Sequence, residues 1–283
     1  MAKAINDQGR RPAEGDNVGL WMDKLVYRNS SDWTLKEEVR RFSLQQFCRT
    51  WRSALGESAA ARLAETATQL HPDLPPRPGQ PSKPALRCGV AAPLGRLLIG
   101  QGRAAATETS ITFHPIWGVP LLPGSALRGI ARAELATELS AAAVEEIFGT
   151  TDRAGLLTFY DALPVNGEFT LALDGQTPHH GRYYGTDGDS DDEDRPRGRR
   201  KEDAPQSDAP TDADSPVPFS FLTVVKTAFA VYIGAHDSSD SAGSALERAW
   251  GALTTSLAEV GVGGKTSAGY GRFEVEALDR SKR

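Results

Sequence analysis

Twelve residues near the C-terminus, Gly261-Val-Gly-Gly-Lys-Thr-Ser-Ala-Gly-Tyr-Gly-Arg272, hold five glycines, a lysine, a tyrosine and an arginine. Glycine lets a backbone take positive φ or press against a ligand. Successive N–H groups in such a loop form a cradle for an anion. Lys265 and Arg272 add charge that core packing does not need. The chemistry on offer is a grip on phosphate by Gly261, Gly263, Gly264, Lys265, Thr266, Gly269, Gly271 and Arg272. Gly264-Lys265-Thr266 imitates the end of a nucleotide-binding P-loop, but that motif requires a glycine where Glu259 stands. The order of elements is also reversed. A helix expected over 244–260, with Leu246, Ala249, Trp250, Leu253, Leu257 and Val260 on one face, leads into the loop, and a strand at Phe273-Glu-Val-Glu-Ala follows it. Ser244 and Glu247 have capping-box spacing, and Gly261 stands where a helix-ending glycine belongs. A wide turn without a ligand accounts for one or two glycines well, and for five with two cations less well.

A second candidate site lies in Pro120-Leu-Leu-Pro-Gly-Ser-Ala-Leu-Arg-Gly129. Ser125 reads as a helix cap, with Leu127, Ile130, Ala131 and Leu135 as the apolar stripe behind it. Gly124 and Ser125 then stand at a helix N-terminus, where N–H groups and the dipole favour a phosphate. Arg128 follows one turn in. A third stretch, Thr177-Pro-His-His-Gly-Arg-Tyr-Tyr184, is polar and aromatic, and its His179, Arg182, Tyr183 and Tyr184 suit stacking and hydrogen bonding with nucleotides.

The elements that must position these residues are legible in outline. Residues 1–18 read as a loose tail. Residues 19–84 read as a helical region followed by a connection with six prolines between His71 and Pro84. In the first helix Leu35, Val39, Phe42, Leu44 and Phe47 are apolar and Arg40, Arg41, Arg49 and Arg52 basic. A second, alanine-rich helix covers 57–70. From residue 85 to 283 the order is a strand signal at 87–93 and again at 96–100, an extended piece at 111–117, helix from 125, a short helix at 140–148, strands at 155–164 and 169–174, a strand or strand pair at 219–233, then the capped helix and final strand. That is the ferredoxin-like (RRM-like) α+β pattern, an antiparallel sheet with helices packed on one face, preceded by the N-terminal helical region.

The chain's 283 residues carry a net charge of −5, of which residues 187–214 contribute −6, leaving about +1 elsewhere. Acidity therefore belongs to one segment, and any nucleic-acid surface on the rest is a local patch. Residues 186–216 lack every large apolar side chain and are expected to be a disordered insert. Cys48 and Cys88 stand far apart, outside any metal spacing. No run approaches a membrane span, and the N-terminal residues carry no apolar signal core. The expectation is a cytoplasmic, reduced protein with no cofactor and no metal.

Taken together, Arg96-Leu-Leu-Ile-Gly-Gln-Gly102, His114-Pro-Ile-Trp-Gly-Val-Pro-Leu-Leu-Pro-Gly-Ser-Ala-Leu-Arg-Gly129, Phe159-Tyr-Asp-Ala-Leu-Pro164, the 177–184 stretch, Pro216-Val-Pro-Phe-Ser-Phe-Leu222 and the glycine loop resemble the RAMP superfamily of CRISPR-associated proteins. Within it they look like the sixth-subunit family of the type III-B Cmr effector complex. The likeness runs over about residues 87–278, and the acidic insert departs from it. The resemblance implies a non-catalytic subunit that holds the 3′ part of a guide crRNA and its duplex with complementary target RNA. Its neighbours would be the repeated backbone subunit, the small helical subunit and the first Cmr subunit. The alternative is a metal-independent RNase, with His114, His179 or His180 as acid and base and Lys265 stabilising the phosphorane. Metal-dependent cleavage through Asp161 or Asp174 ranks lower, because lone carboxylates after strands are commonly turn formers. A protein adaptor without RNA contact leaves the loop's cations unexplained.

Overall fold

The computed structural model describes residues 17–22, 44–45, 47–53, 56–71, 85–101, 110–177, 219–236 and 239–278. Arg40, Arg41, His179, His180, Arg182, Tyr183, Tyr184, the insert 186–216, the tail up to residue 16 and most of the proline-rich connection lie outside the described residues. In chain order the elements are β1 (Thr50–Arg52), α1 (Ala59–Leu70), β2 (Leu86–Pro93), α2 (Gly124–Leu135), α3 (Ala141–Phe148), β3 (Leu157–Phe159), β4 (Leu163–Pro164), β5 (Glu168–Gln176), β6 (Phe219–Val225), β7 (Phe229–Ala235), α4 (Asp240–Glu259) and β8 (Phe273–Ala277). The chain divides into two compact units, Met1–Leu173 with Leu222–Arg283, and Asp174–Phe221. The smaller is described only at the end of β5 and the start of β6.

In the larger unit the principal sheet runs β3-β7-β2-β8, every neighbouring pair antiparallel, with β4 also on β7. Two strand–helix–strand halves, β2-α2-α3-β3 and β7-α4-β8, thus interleave in the ferredoxin-like manner. Period-2 alternation divides the faces. Ala91, Phe229, Val231 and Ile233 belong to the main core with Leu246, Ala249, Leu253 and Leu257 of α4 and Leu127 and Ala131 of α2. Each large apolar side chain among them, fully buried, stabilises the fold by about 1.5–3 kcal/mol before the cost of ordering it. On the opposite face Leu86, Cys88, Ala230 and Tyr232 pack under Ala60, Leu63, Ala64 and Ala67 of α1. α1 therefore covers that face of the central strands. His71, just beyond α1, bonds the Ala235 carbonyl at 2.8 Å and the Tyr160 hydroxyl at 2.8 Å, closing its end.

Several local expectations shift. α4 starts at Asp240, where Ser239 Oγ accepts the Ala242 N–H at 3.1 Å, so Ser244 stands inside the helix. Buried Ala242 and Ala245 extend the apolar face backwards, and these small side chains escape a reading based on large residues. Val260, expected on that face, is 51% exposed and stands one residue beyond the end of the helix at Glu259. Arg49 and Arg52 are not on a helix. Arg49 lies in the bend before β1, and Arg52 in β1, where Thr50, Trp51 and Arg52 alternate exposed, buried, exposed and Trp51 pairs with Phe169 of β5. Residues 219–233 hold two strands that part at Lys226, a non-glycine with φ of 54°. β6 joins a three-stranded sheet ordered β1-β5-β6, while β7 is central to the other.

Candidate nucleic-acid interface

α4 ends as its glycine predicts. Gly261 has a φ of +86°, and its N–H returns to the Ser256 carbonyl at 2.8 Å. The loop then folds on itself and onto residues 94–98. Val262 N–H donates to Gly271 O at 2.8 Å, Gly264 N–H to Leu98 O at 2.7 Å, Gly271 N–H to Arg96 O at 2.7 Å, and Leu94 N–H to Arg272 O at 2.9 Å. These contacts account for much of the glycine content. A Cβ on Gly271 would stand 1.9 Å from Val262 O, and one on Gly263 would stand 2.3 Å from Leu98 O. Gly264 is different, since its nearest neighbour would be the flexible Gln101 Oε1 at 3.3 Å.

The tip is built for something else. Lys265 takes the left-handed conformation, φ 59° and ψ 32°, and a right-handed turn over Thr266–Ala268 follows directly. A left-handed residue followed by a right-handed one turns successive N–H groups toward a common side, the anion-binding nest. The turn is closed by Ala268 N–H to Lys265 O at 3.0 Å and Gly269 N–H to Thr266 O at 2.9 Å. The N–H groups of Thr266 and Ser267 meet no acceptor among the described residues. A non-glycine held at positive φ costs about 1–2 kcal/mol, so this backbone is maintained against a local preference. Ser267 and Arg272 are exposed, and Lys265 and Thr266 partly so.

The second predicted site is assembled differently from its expectation. α2 begins at Gly124, and its N-cap is Pro123, whose backbone is extended; exposed Ser125 lies inside the first turn and does not cap. The Gly124 N–H donates to Asp161 Oδ1 at 2.7 Å, so a carboxylate already occupies part of this helix N-terminus. A Cβ on Gly124 would stand 2.3 Å from Phe159 O, so this glycine serves close packing of α2 on the end of β3. Arg128 donates to the Phe148 carbonyl at the C-terminal end of α3, a structural task that its place in the sequence does not suggest. Asp174 accepts the N–H of Gly175 at 2.8 Å. Among the described residues no three His, Cys, Asp or Glu side chains group to hold a metal ion.

His114 organises a turn. Its Nδ1 accepts the N–H groups of Ile116 at 3.3 Å and Trp117 at 3.4 Å, and its ring stacks on Trp117 with centroids 4.1 Å apart. Burial pushes its pKa below the ordinary 6.5, while the Asp161 charge pulls the other way. Because the folded value is depressed, the unfolded chain binds more protons just below pH 6.5, and stability declines as pH falls through that value. Thermal unfolding from pH 7 to pH 5 is expected to lose less midpoint in His114→Asn, whose carbonyl can still accept the turn's N–H groups, than in wild type. Parallel pH profiles for the two proteins would remove His114 from that account.

Arg96-Leu-Leu-Ile has no role that its sequence alone discloses. These residues form the strap beneath the glycine loop, and the one signal for them is a run of extended apolar residues beside a glycine pair. A family model described as the RAMP superfamily matches residues 93–274. The Cmr6 subunit of the Cmr CRISPR system of Pyrococcus furiosus is 30% identical over 240 residues, covering 63% of this chain and 64% of the relative. The Cmr6 subunit of Saccharolobus solfataricus is 34% identical over 95 residues, covering 33% of this chain and 31% of the relative. The chain thus spans less than two thirds of the length of either curated relative. Its fold resembles a chain in the cryo-EM structure of the type III-B Cmr-beta complex bound to cognate target RNA, with a TM-score of 0.60 at 19% identity, covering 99% of this chain and 90% of that one.

Proposed function

This chain belongs to the RAMP superfamily, and from that premise we propose that it is a non-catalytic RNA-binding subunit of a type III-B CRISPR (Cmr) RNA-guided effector complex. In this reading it holds the 3′ region of the guide crRNA and the backbone of the guide–target duplex in antiviral defence. Its protein partners are the other Cmr subunits: the repeated backbone subunit, the small helical subunit and the first Cmr subunit. The observation that carries the reading is the nest at Lys265–Ser267, with two N–H groups lacking an acceptor among the described residues and a lysine at its head. Contacts of this kind position a nucleic acid without reading its sequence, as a protein serving arbitrary guides requires. The covered sheet supports the same location. Tyr232, which an RRM-like protein would offer for base stacking, is 8% exposed beneath α1. The absence of catalysis is part of the proposal, and the use of His114 Nδ1 as an acceptor within its own turn supports it. Among the described residues no helix is long and apolar enough to cross a membrane, and the reading places the complex in the cytoplasm.

The test is RNA binding and cleavage across a salt series, by the purified chain and by the assembled complex, for wild type and Lys265→Ala/Arg272→Ala. The double variant is expected to bind roughly tenfold or more weakly, with a log–log salt slope shallower by about 0.7 for each phosphate it no longer neutralises. RNA cut by the purified chain would overturn the non-catalytic reading. Unchanged affinity and slope in both settings would leave a protein adaptor.

A further inference from the structure

We propose that Arg96 is a positioning residue for the glycine loop, tying the strap beneath it to β5 and β6 so that the nest meets RNA already formed. The inference rests on the RNA-binding reading above, but the link it describes exists without RNA. Residues 96–98 alternate between two partners. Arg96 O accepts the Gly271 N–H at 2.7 Å, and Leu98 O accepts the Gly264 N–H at 2.7 Å, both on the loop side. Between them Leu97 exchanges two hydrogen bonds of 2.9 Å with Val224 of β6. The Arg96 side chain adds to this second set: its Nη1 donates to Thr223 Oγ1 at 3.2 Å and to Leu173 O of β5 at 3.4 Å.

The acceptor is itself fixed. Thr223 is fully buried, and its hydroxyl donates to Ala172 O at 3.1 Å, which turns a lone pair toward the guanidinium. Hydrogen bonds to a charged donor are stronger than neutral ones, and a guanidinium holds its geometry with little loss of freedom. One residue therefore joins the loop through its carbonyl and the three-stranded sheet through its side chain. A strap free to slide would carry the carbonyls of residues 96 and 98 away from the two loop amides that flank Lys265–Ser267. A grip that forms only on binding gives up affinity to the ordering of the loop.

Hydrogen exchange of the unliganded full chain tests the link directly. Arg96→Ala is expected to raise exchange at Gly264 and Gly271 about tenfold, while amides of β2 and β7 keep their protection. Thr223→Val, which removes the acceptor and spares the arginine, should move the same amides. Arg96→Lys should restore part of the protection. Unchanged exchange at Gly264 and Gly271 in both Arg96→Ala and Thr223→Val would overturn the proposal. RNA binding supplies the second readout. Arg96→Ala should weaken binding about tenfold with the wild-type salt slope, because every phosphate keeps its partner. A slope shallower by about 0.7 would make Arg96 a phosphate ligand and overturn the positioning role. Loosened loop amides in a chain that binds no RNA, alone or assembled, would uphold the link and sink the RNA-binding reading instead.

Discussion

Gly271→Ala is expected to destabilise the larger unit by about 3–5 kcal/mol, the sum of positive-φ strain and forced repacking. That corresponds to a fall of about 6–20 °C in the unfolding midpoint. Gly271 has a φ of +70°, and an added methyl would stand 1.9 Å from Val262 O, a main-chain atom that cannot swing aside. Relief requires opening the Val262–Gly271 hydrogen bond or lifting Gly271 from Arg96. Either movement distorts the tip, so RNA affinity should fall although Lys265 and Arg272 are untouched. Gly269→Ala is the control. It shares a positive φ of +87°, but its added methyl would have nothing within 4 Å, so only conformational strain of about 1–2 kcal/mol is expected. Equal midpoints for the two variants would refute the close-approach explanation. Gly264→Ala adds a third point. Its nearest neighbour is the flexible end of Gln101, so a loss of RNA affinity there without a loss of stability would report on the ligand.

The second large effect is expected at Gly124→Ala. The new methyl would meet Phe159 O at 2.3 Å and the carbonyl carbons of Phe159 and Tyr160 at 2.9 Å. The start of α2 must then lift from the end of β3, losing the Gly124–Asp161 hydrogen bond of 2.7 Å. A cost of about 2–4 kcal/mol follows from overpacking plus the broken charge-assisted bond. Ser125→Ala separates this account from the sequence expectation. A true N-cap serine would cost about 1 kcal/mol on removal, whereas an exposed residue within the first turn should change stability by less than about 0.5 kcal/mol. Thermal or denaturant unfolding of the two variants checks both statements. Near-wild-type stability of Gly124→Ala would mean that α2 is not seated on β3 as described.

These glycines mark where sequence reading reaches its limit. Gly261 is legible as a helix end because capping is settled within a few residues, and it takes the left-handed φ that role requires. Gly263 and Gly271 offer the same freedom, but their neighbours Leu98 and Val262 are main-chain contacts made across the fold or across the loop. Arg128 looks surplus to helix capping and free for phosphate, yet the carbonyl that takes it belongs to Phe148, twenty residues on. Alanine-rich faces hide the true start of α4, because their small side chains give little periodic signal.

By itself the sequence determined the main strands and helices from residue 86 onward, the C-terminal ends of α3 and α4 beside Gly149 and Gly261, and the loop whose tip carries Lys265. Apolar periodicity, caps and left-handed glycines act over three or four residues, so the local chain already holds them. Only the tertiary structure decided that α1 covers one face of the central strands, that β6 and β7 part into different sheets, and that the strap at 94–98 bears the glycine loop. Each of these joins residues far apart in sequence, where the outcome rests on which surfaces bury each other and on which backbone groups remain to be paired.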